Sequence, residues 1–107
     1  MRIAIIGAGF SGCQLTLELL RRSRPDTEIL LFDGSETFGT GVAFAARHSR
    51  LVLNTRVANM SVFEHDRSHF LRWLWAKDLP EHPAGSIPPS GHAFVSRGLY
   101  GRYVSEV

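Results

Sequence analysis

The chain begins with two short apolar runs on either side of an amphipathic stretch. Arg2 to Ile6 is a run of β-branched and small apolar residues, the pattern of a buried parallel strand. Gly7-Ala8-Gly9-Phe10-Ser11-Gly12 then turns the chain. From about Ser11 to Ser23, Cys13, Thr16, Leu17 and Leu20 recur at helical spacing, with Leu15 and Leu19 widening the apolar side. Arg21, Arg22 and Arg24 fall where this helix ends and complement the negative pole of its dipole, and Pro25-Asp26 stops it. Glu28 to Phe32 is a second buried strand, ended by Asp33-Gly34. A strand, a helix and a strand thus occupy residues 1–33.

The rest of the pattern is less regular. Residues 34–50 are rich in glycine and small residues, lack a helical period, and read as an extended, folded-over loop. Leu51-Val52-Leu53 and Met60-Ser61-Val62-Phe63 read as short strands. Asp66 reads as the N-cap of a helix carrying Phe70, Leu71, Leu74 and Trp75 and running to about Lys77. Residues 80–91 hold four of the five prolines and form a loop. Ser96 is placed to cap a last helix in which Tyr100, Tyr103, Val104 and Val107 share one face.

The glycine turn carries the most specific chemistry. Gly7 permits a tight turn out of the strand, Gly9 lets the backbone approach a pyrophosphate, and Gly12 lets helix and strand pack closely. The amides near Phe10, Ser11 and Gly12 lie at a helix start, where unpaired donors and the dipole favour a phosphate. Asp33 follows Gly12 by 21 residues at the end of the second strand, where its carboxylate can accept hydrogen bonds from an adenosine ribose. Its charge disfavours a 2′-phosphate, so FAD or NAD is expected over NADP. The turn taken alone is weak evidence. The preceding strand, the apolar-faced helix and the spaced acid together make dinucleotide binding the reading, against a glycine-rich turn in an ordinary βαβ unit.

Composition narrows the alternatives. The net charge is +2, from 12 basic and 10 acidic residues, and eleven of the cations are scattered arginines, so no nucleic-acid footprint is present. Cys13 is alone, which precludes an internal disulfide. No apolar run approaches the roughly 20 residues that cross a bilayer. Met1-Arg2 and the apolar run after it imitate an export signal, but Gly7 and Gly9 break the run and an amphipathic helix follows. A cytoplasmic location without membrane or nucleic-acid partners is the expectation.

Periodicity does not separate FAD from NAD; a family resemblance bears on that choice. The run from Ile3 to Gly12, with Leu30-Leu31-Phe32-Asp33, resembles the opening of FAD/NAD(P)-binding flavoproteins of the glutathione-reductase-like class. Phe38-Gly-Thr-Gly-Val-Ala-Phe44 resembles the Gly-x-Gly-Val-Ala-Tyr segment of a largely uncharacterised bacterial group of such proteins. Leu53-Asn54, Met60-Ser61, Phe70 to Leu74, and Phe94-Val-Ser-Arg-Gly-Leu-Tyr-Gly-Arg-Tyr103 are similar to the same group. The resemblance implies that Gly7, Gly9 and Gly12 face the FAD pyrophosphate and Asp33 its ribose. It further implies that Gly39, Thr40 and Gly41 lie near the cofactor and that Asn54 approaches the flavin side. Ser23 departs from the glycine or alanine that often closes the fingerprint helix.

The expected fold class is therefore α/β: a partial Rossmann-type FAD/NAD(P)-binding domain over residues 1–107. Its βαβ dinucleotide unit fills 1–33, a loop and helical extension fills 34–107, and the sheet is incomplete because no third parallel strand to lie beside the first is evident. Family members are longer, so the chain reads as the amino-terminal piece of a flavoenzyme. The rest of that parent, or a self-associated copy, would cover the open sheet edge. Three functions remain open: the FAD-binding segment of an NAD(P)H-dependent flavin oxidoreductase or monooxygenase, an NAD-binding dehydrogenase fragment, or a non-enzymatic dinucleotide-binding module. No catalytic side chain is assigned within this piece.

The other chemically active residues have plainer readings. His65 and His69 can share a helix face but lack a third ligand, so no metal site is assigned. His48, His82 and His92 fall in loops. Cys13 could be a thiol activated at a helix start, but its place in the apolar pattern favours packing. Trp73 and Trp75 likewise fit core or interface packing better than flavin stacking.

Overall fold

The computed structural model describes residues 1–36, 38–45, 50–83 and 85–107. Strand β1 (Arg2–Ile6) pairs in parallel with β2 (Glu28–Phe32), with Arg2 opposite Glu28 and Ile6 opposite Phe32. A parallel pair needs a crossover, and helix α1 (Phe10–Arg22) supplies it. Both strands and the helix fall where the apolar pattern puts them. Among the described residues the sheet has these two strands and no third.

The strands alternate sides, so Ile3 and Ile5 stand with Ile29 and Leu31 on one face, and Ala4 and Ile6 with Leu30 and Phe32 on the other. Helix α1 covers the first face, with Gly12 over Ile5. The second face is bare: Ile5 is 8% exposed, whereas Ile6 is 82% and Phe32 50% exposed. The strands expected to be buried are thus covered on one face only. Likewise no residue of α1 is fully buried, and Leu20, on its expected apolar stripe, is 63% exposed. Two strands are too narrow a platform to cover a helix that is apolar over so wide an arc.

The buried core lies elsewhere, drawn from residues between Leu53 and Val104. Helix α2 (Gly41–Phe44) is a single turn, α3 spans His69–Ala76, and α4 spans Arg97–Glu106. Phe70 of α3 meets Tyr103 of α4 at 4.5 Å between ring centroids and Tyr100 edge-on at 5.2 Å. Ser96 caps α4 as its sequence position predicts, its hydroxyl accepting the Leu99 amide at 3.2 Å. Tyr100, Tyr103 and Val104 are buried along the expected face.

Three expectations fail here. Asp66 is not the N-cap of α3, which begins three residues later behind Ser68. The Asp66 carboxylate is drawn to Arg72 instead, and its carbonyl accepts the His69 amide at 3.1 Å, closing a turn before the helix. Leu51–Leu53 and Met60–Phe63 are not strands. Val52 makes one isolated antiparallel bridge to Ser96. Met60 closes a 3-10 turn over Val57–Asn59, and the Ser61 hydroxyl accepts the Phe63 amide, so these groups are satisfied locally. The loop expected over 34–50 contains α2, while its residues 46–49, His48 among them, lie outside the described residues, as does Thr37.

Candidate functional site

The turn after β1 is built from backbone. Gly7 has φ +99°, and its amide donates to Phe32 O at 2.7 Å, adding one rung beyond the paired strands. Gly12 is sterically obligatory, because a Cβ there would lie 1.8 Å from Gly7 O. Helix and strand are therefore as close as glycine allows. Cys13 N to Gly9 O, at 3.0 Å, is the first bond into α1. The amides of Phe10, Ser11 and Gly12 before it have no backbone partner among the described residues. No acidic side chain stands in the first turn and Gly9 offers no capping side chain, so the positive pole of α1 is uncompensated by its own sequence.

A second wall faces this turn. The Gly39 amide donates to Ala8 O at 2.6 Å, and Gly41 passes so close to Gly9 that a Cβ at 41 would lie 3.2 Å from Gly9 Cα. Between them opens a cleft of about 490 Å³. Gly7, Gly9, Phe10, Ser11 and Gly12 line one side, and Thr40 and Gly41 the other. Ile6, Leu15 and Val42 add an apolar rim that the glycine pattern does not mark, and Val42 is fully exposed. The one signal for Val42 is its place beside the Gly-x-Gly segment.

The remaining predicted residues are placed differently. Asp33 ends β2 and does not line the cleft, yet its Oδ2 accepts the Ala8 amide and its Oδ1 the Ser35 amide at 2.8 Å. These two amides, Ala8 first, hold its carboxyl below the usual carboxylate range. Gly39 is buried against α4, where a Cβ would meet Val104 Cγ1 at 2.9 Å. Asn54 is exposed, accepts the Thr55 hydroxyl at 3.4 Å, and does not border the cleft.

Geometry favours a dinucleotide here. These helix-start amides and the helix pole suit a pyrophosphate, the apolar rim suits rings, and the Asp33 carboxylate is an acceptor of the kind a diol needs. The family model described as FAD-NAD(P)-binding matches residues 4–107. The chain belongs to this family. No curated protein and no solved structure matches it. The two-stranded sheet makes this FAD-NAD(P)-binding domain a partial Rossmann-like one.

Other reactive side chains in this FAD-NAD(P)-binding chain are engaged in structure. Burial pushes the Cys13 thiol up, outweighing the Gly39 amide that would lower it, and Sγ donates to Ala8 O at 3.4 Å. His69 Nδ1 lies 2.8 Å from Tyr103 Oη and its ring packs on Phe63 at 4.6 Å. Trp73 packs on Phe70 and Tyr103, while Trp75 Nε1 donates to Ile87 O at 3.1 Å and ties down the proline-rich loop. Among the described residues, no helix is long and apolar enough to cross a membrane.

Proposed function

We propose that the chain binds FAD in the cleft above the glycine turn and is the cofactor-holding segment of an NAD(P)H-dependent flavin oxidoreductase or monooxygenase. The observation that carries this reading is the trio of amides at Phe10, Ser11 and Gly12 that have no backbone partner among the described residues, held at the cleft by a helix that only glycine lets come so close. In this reading Gly7, Gly9 and Gly12 shape the pyrophosphate site, Thr40 and Gly41 form its opposite wall, and Asp33 accepts the ribose hydroxyls. Gly39 serves by holding that wall, and Asn54 belongs to the flavin side. A bound flavin supplies hydride acceptance from a nicotinamide; the residues here bind and orient. The lone thiol suits the reducing cytoplasm.

The same cleft suits NAD, and titration separates the two. Flavin and tryptophan fluorescence are followed as FAD and, separately, NAD are added to the chain and to its Asp33→Ala variant. Saturable FAD binding weakened by the substitution is expected. Binding of NAD alone would make the chain a dehydrogenase segment, and binding of neither by the folded chain would overturn the reading.

A further inference from the structure

The Tyr100-Gly101-x-Tyr103 stretch of α4 has no part in the chemistry described so far, yet it meets the cleft wall at several points. A Cβ on Gly101 would lie 2.6 Å from Phe44 O and 3.1 Å from Thr40 Cγ2, so α2 is seated directly on this glycine. One turn on, the Ser105 hydroxyl lies 2.7 Å from Phe38 O and 2.9 Å from Gly101 O, a single proton shared between the loop and its own helix. Gly39, one residue after Phe38, packs on Val104 and donates to Ala8 O in the turn. The rings of Phe10, Phe44 and Tyr100 meet one another at 4.9–5.9 Å, joining the start of α1, the wall and α4.

We infer that α4 is the template that sets the width of the cleft, with Gly101 and Ser105 as positioning residues that act through Thr40, Gly41 and Phe38. The inference rests on the dinucleotide reading of the cleft. Neither residue borders the cleft itself. Their effect passes along 38–44, whose Gly41 stands against Gly9. A side chain at 101 pushes α2 off α4 and moves Gly41 against the turn. Loss of the Ser105 hydroxyl frees Phe38 O and loosens the Gly39 latch.

Ser105 is exposed and helical, so alanine there leaves the fold intact. The full chain and its Ser105→Ala, Ser105→Thr and Gly101→Ala variants are compared in two ways. Amide exchange is read at Gly39, with Leu53, bonded to Val95 O, as a remote control; FAD affinity is read by fluorescence. Exchange at Gly39 is expected to quicken about tenfold in Ser105→Ala, to return in Ser105→Thr, and to leave Leu53 unchanged. FAD should bind about threefold more weakly to Ser105→Ala and at least tenfold more weakly to Gly101→Ala. Unchanged Gly39 exchange in Ser105→Ala overturns the inference, as does undiminished FAD affinity in both alanine variants. If the parent chain binds neither FAD nor NAD while Gly39 still responds to Ser105, the template role stands and the dinucleotide reading falls.

Discussion

Asp33, which ends β2, accepts a hydrogen bond from the amide of Ala8, which lies inside the turn that ends β1. The acid suited to a ribose and the turn suited to a pyrophosphate are therefore one unit, fastened by a backbone amide. A carboxylate offers about four acceptor positions, and Ala8 and Ser35 occupy two of them. The Ser35 hydroxyl adds a further hydrogen bond to the carboxylate. Asp33 thus needs no distant packing to be held in place, even though the sheet beside it is bare on one face.

Replacing Asp33 by Asn keeps an oxygen for the Ala8 amide but removes the charge. FAD or NAD should bind about tenfold more weakly, the scale of one lost charged hydrogen bond. NADP, whose 2′-phosphate the carboxylate repels, should gain relative to NAD. The ratio of NAD to NADP affinities, measured by calorimetry, checks this, and an unaltered ratio counts against a ribose contact. The carboxyl is held below its ordinary value near 3.8, so its contribution is present above that pH and is lost as pH falls through the lowered value.

Gly12→Ala tests the close approach of helix and strand. Alanine gains about 1 kcal/mol of helix propensity over glycine. Against this, its Cβ would sit 1.8 Å from the Gly7 carbonyl oxygen, a backbone atom that can yield only by opening the turn. Overpacking of this kind costs about 1–3 kcal/mol or more, so the variant should be less stable despite the better helix former. A fall in the urea midpoint together with loss of dinucleotide binding is the expected outcome.

The parts legible in the sequence are those whose causes are local. β1, α1 and β2 lie where their apolar runs and stop signals fall, and Ser96 caps α4 because its partner amide is three residues away. The glycine turn and the position of Asp33 just after β2 needed only spacing. Asp66 misled because Arg72, six residues on, competes for its carboxylate. α2 was hidden because it has four residues and no period of its own; its seat is Gly101, far along the chain. The bare face of the sheet was equally invisible, since an apolar strand reads the same whether or not its second face is covered.

Gly39 and Gly85 form a matched pair, both at φ +88°. Alanine at either pays roughly 1–2 kcal/mol for a left-handed backbone. At 85 a Cβ meets nothing within 4 Å, whereas at 39 it meets Val104 Cγ1 at 2.9 Å and Ser105 N at 3.1 Å. Gly39→Ala should therefore be the more destabilising by about 1–3 kcal/mol, the cost of overpacking, and it alone should weaken FAD binding. Urea unfolding of the two variants gives the difference directly, and equal losses would show that the α4 contact yields freely.

Glu106 near the end of α4 gathers three donors: Lys77 Nζ at 2.7 Å, Trp73 Nε1 at 3.0 Å and Arg102 Nε at 2.9 Å. Lys77 first, then Arg102, holds its carboxyl at about 2, down from an ordinary 4.5. A depressed folded value means that the stabilising contribution is complete above about pH 4.5 and disappears as pH falls toward 2. Because Trp73 is one of the donors, its fluorescence should report protonation of Glu106 in the folded parent chain, with a transition centred near pH 2. Glu106→Gln retains an oxygen for the indole but does not titrate, so its fluorescence should be flat across the same interval. A transition that survives the substitution would assign the acid-sensitive step to another carboxyl, with Asp66 and its Arg72 partner the next to examine by Asp66→Asn.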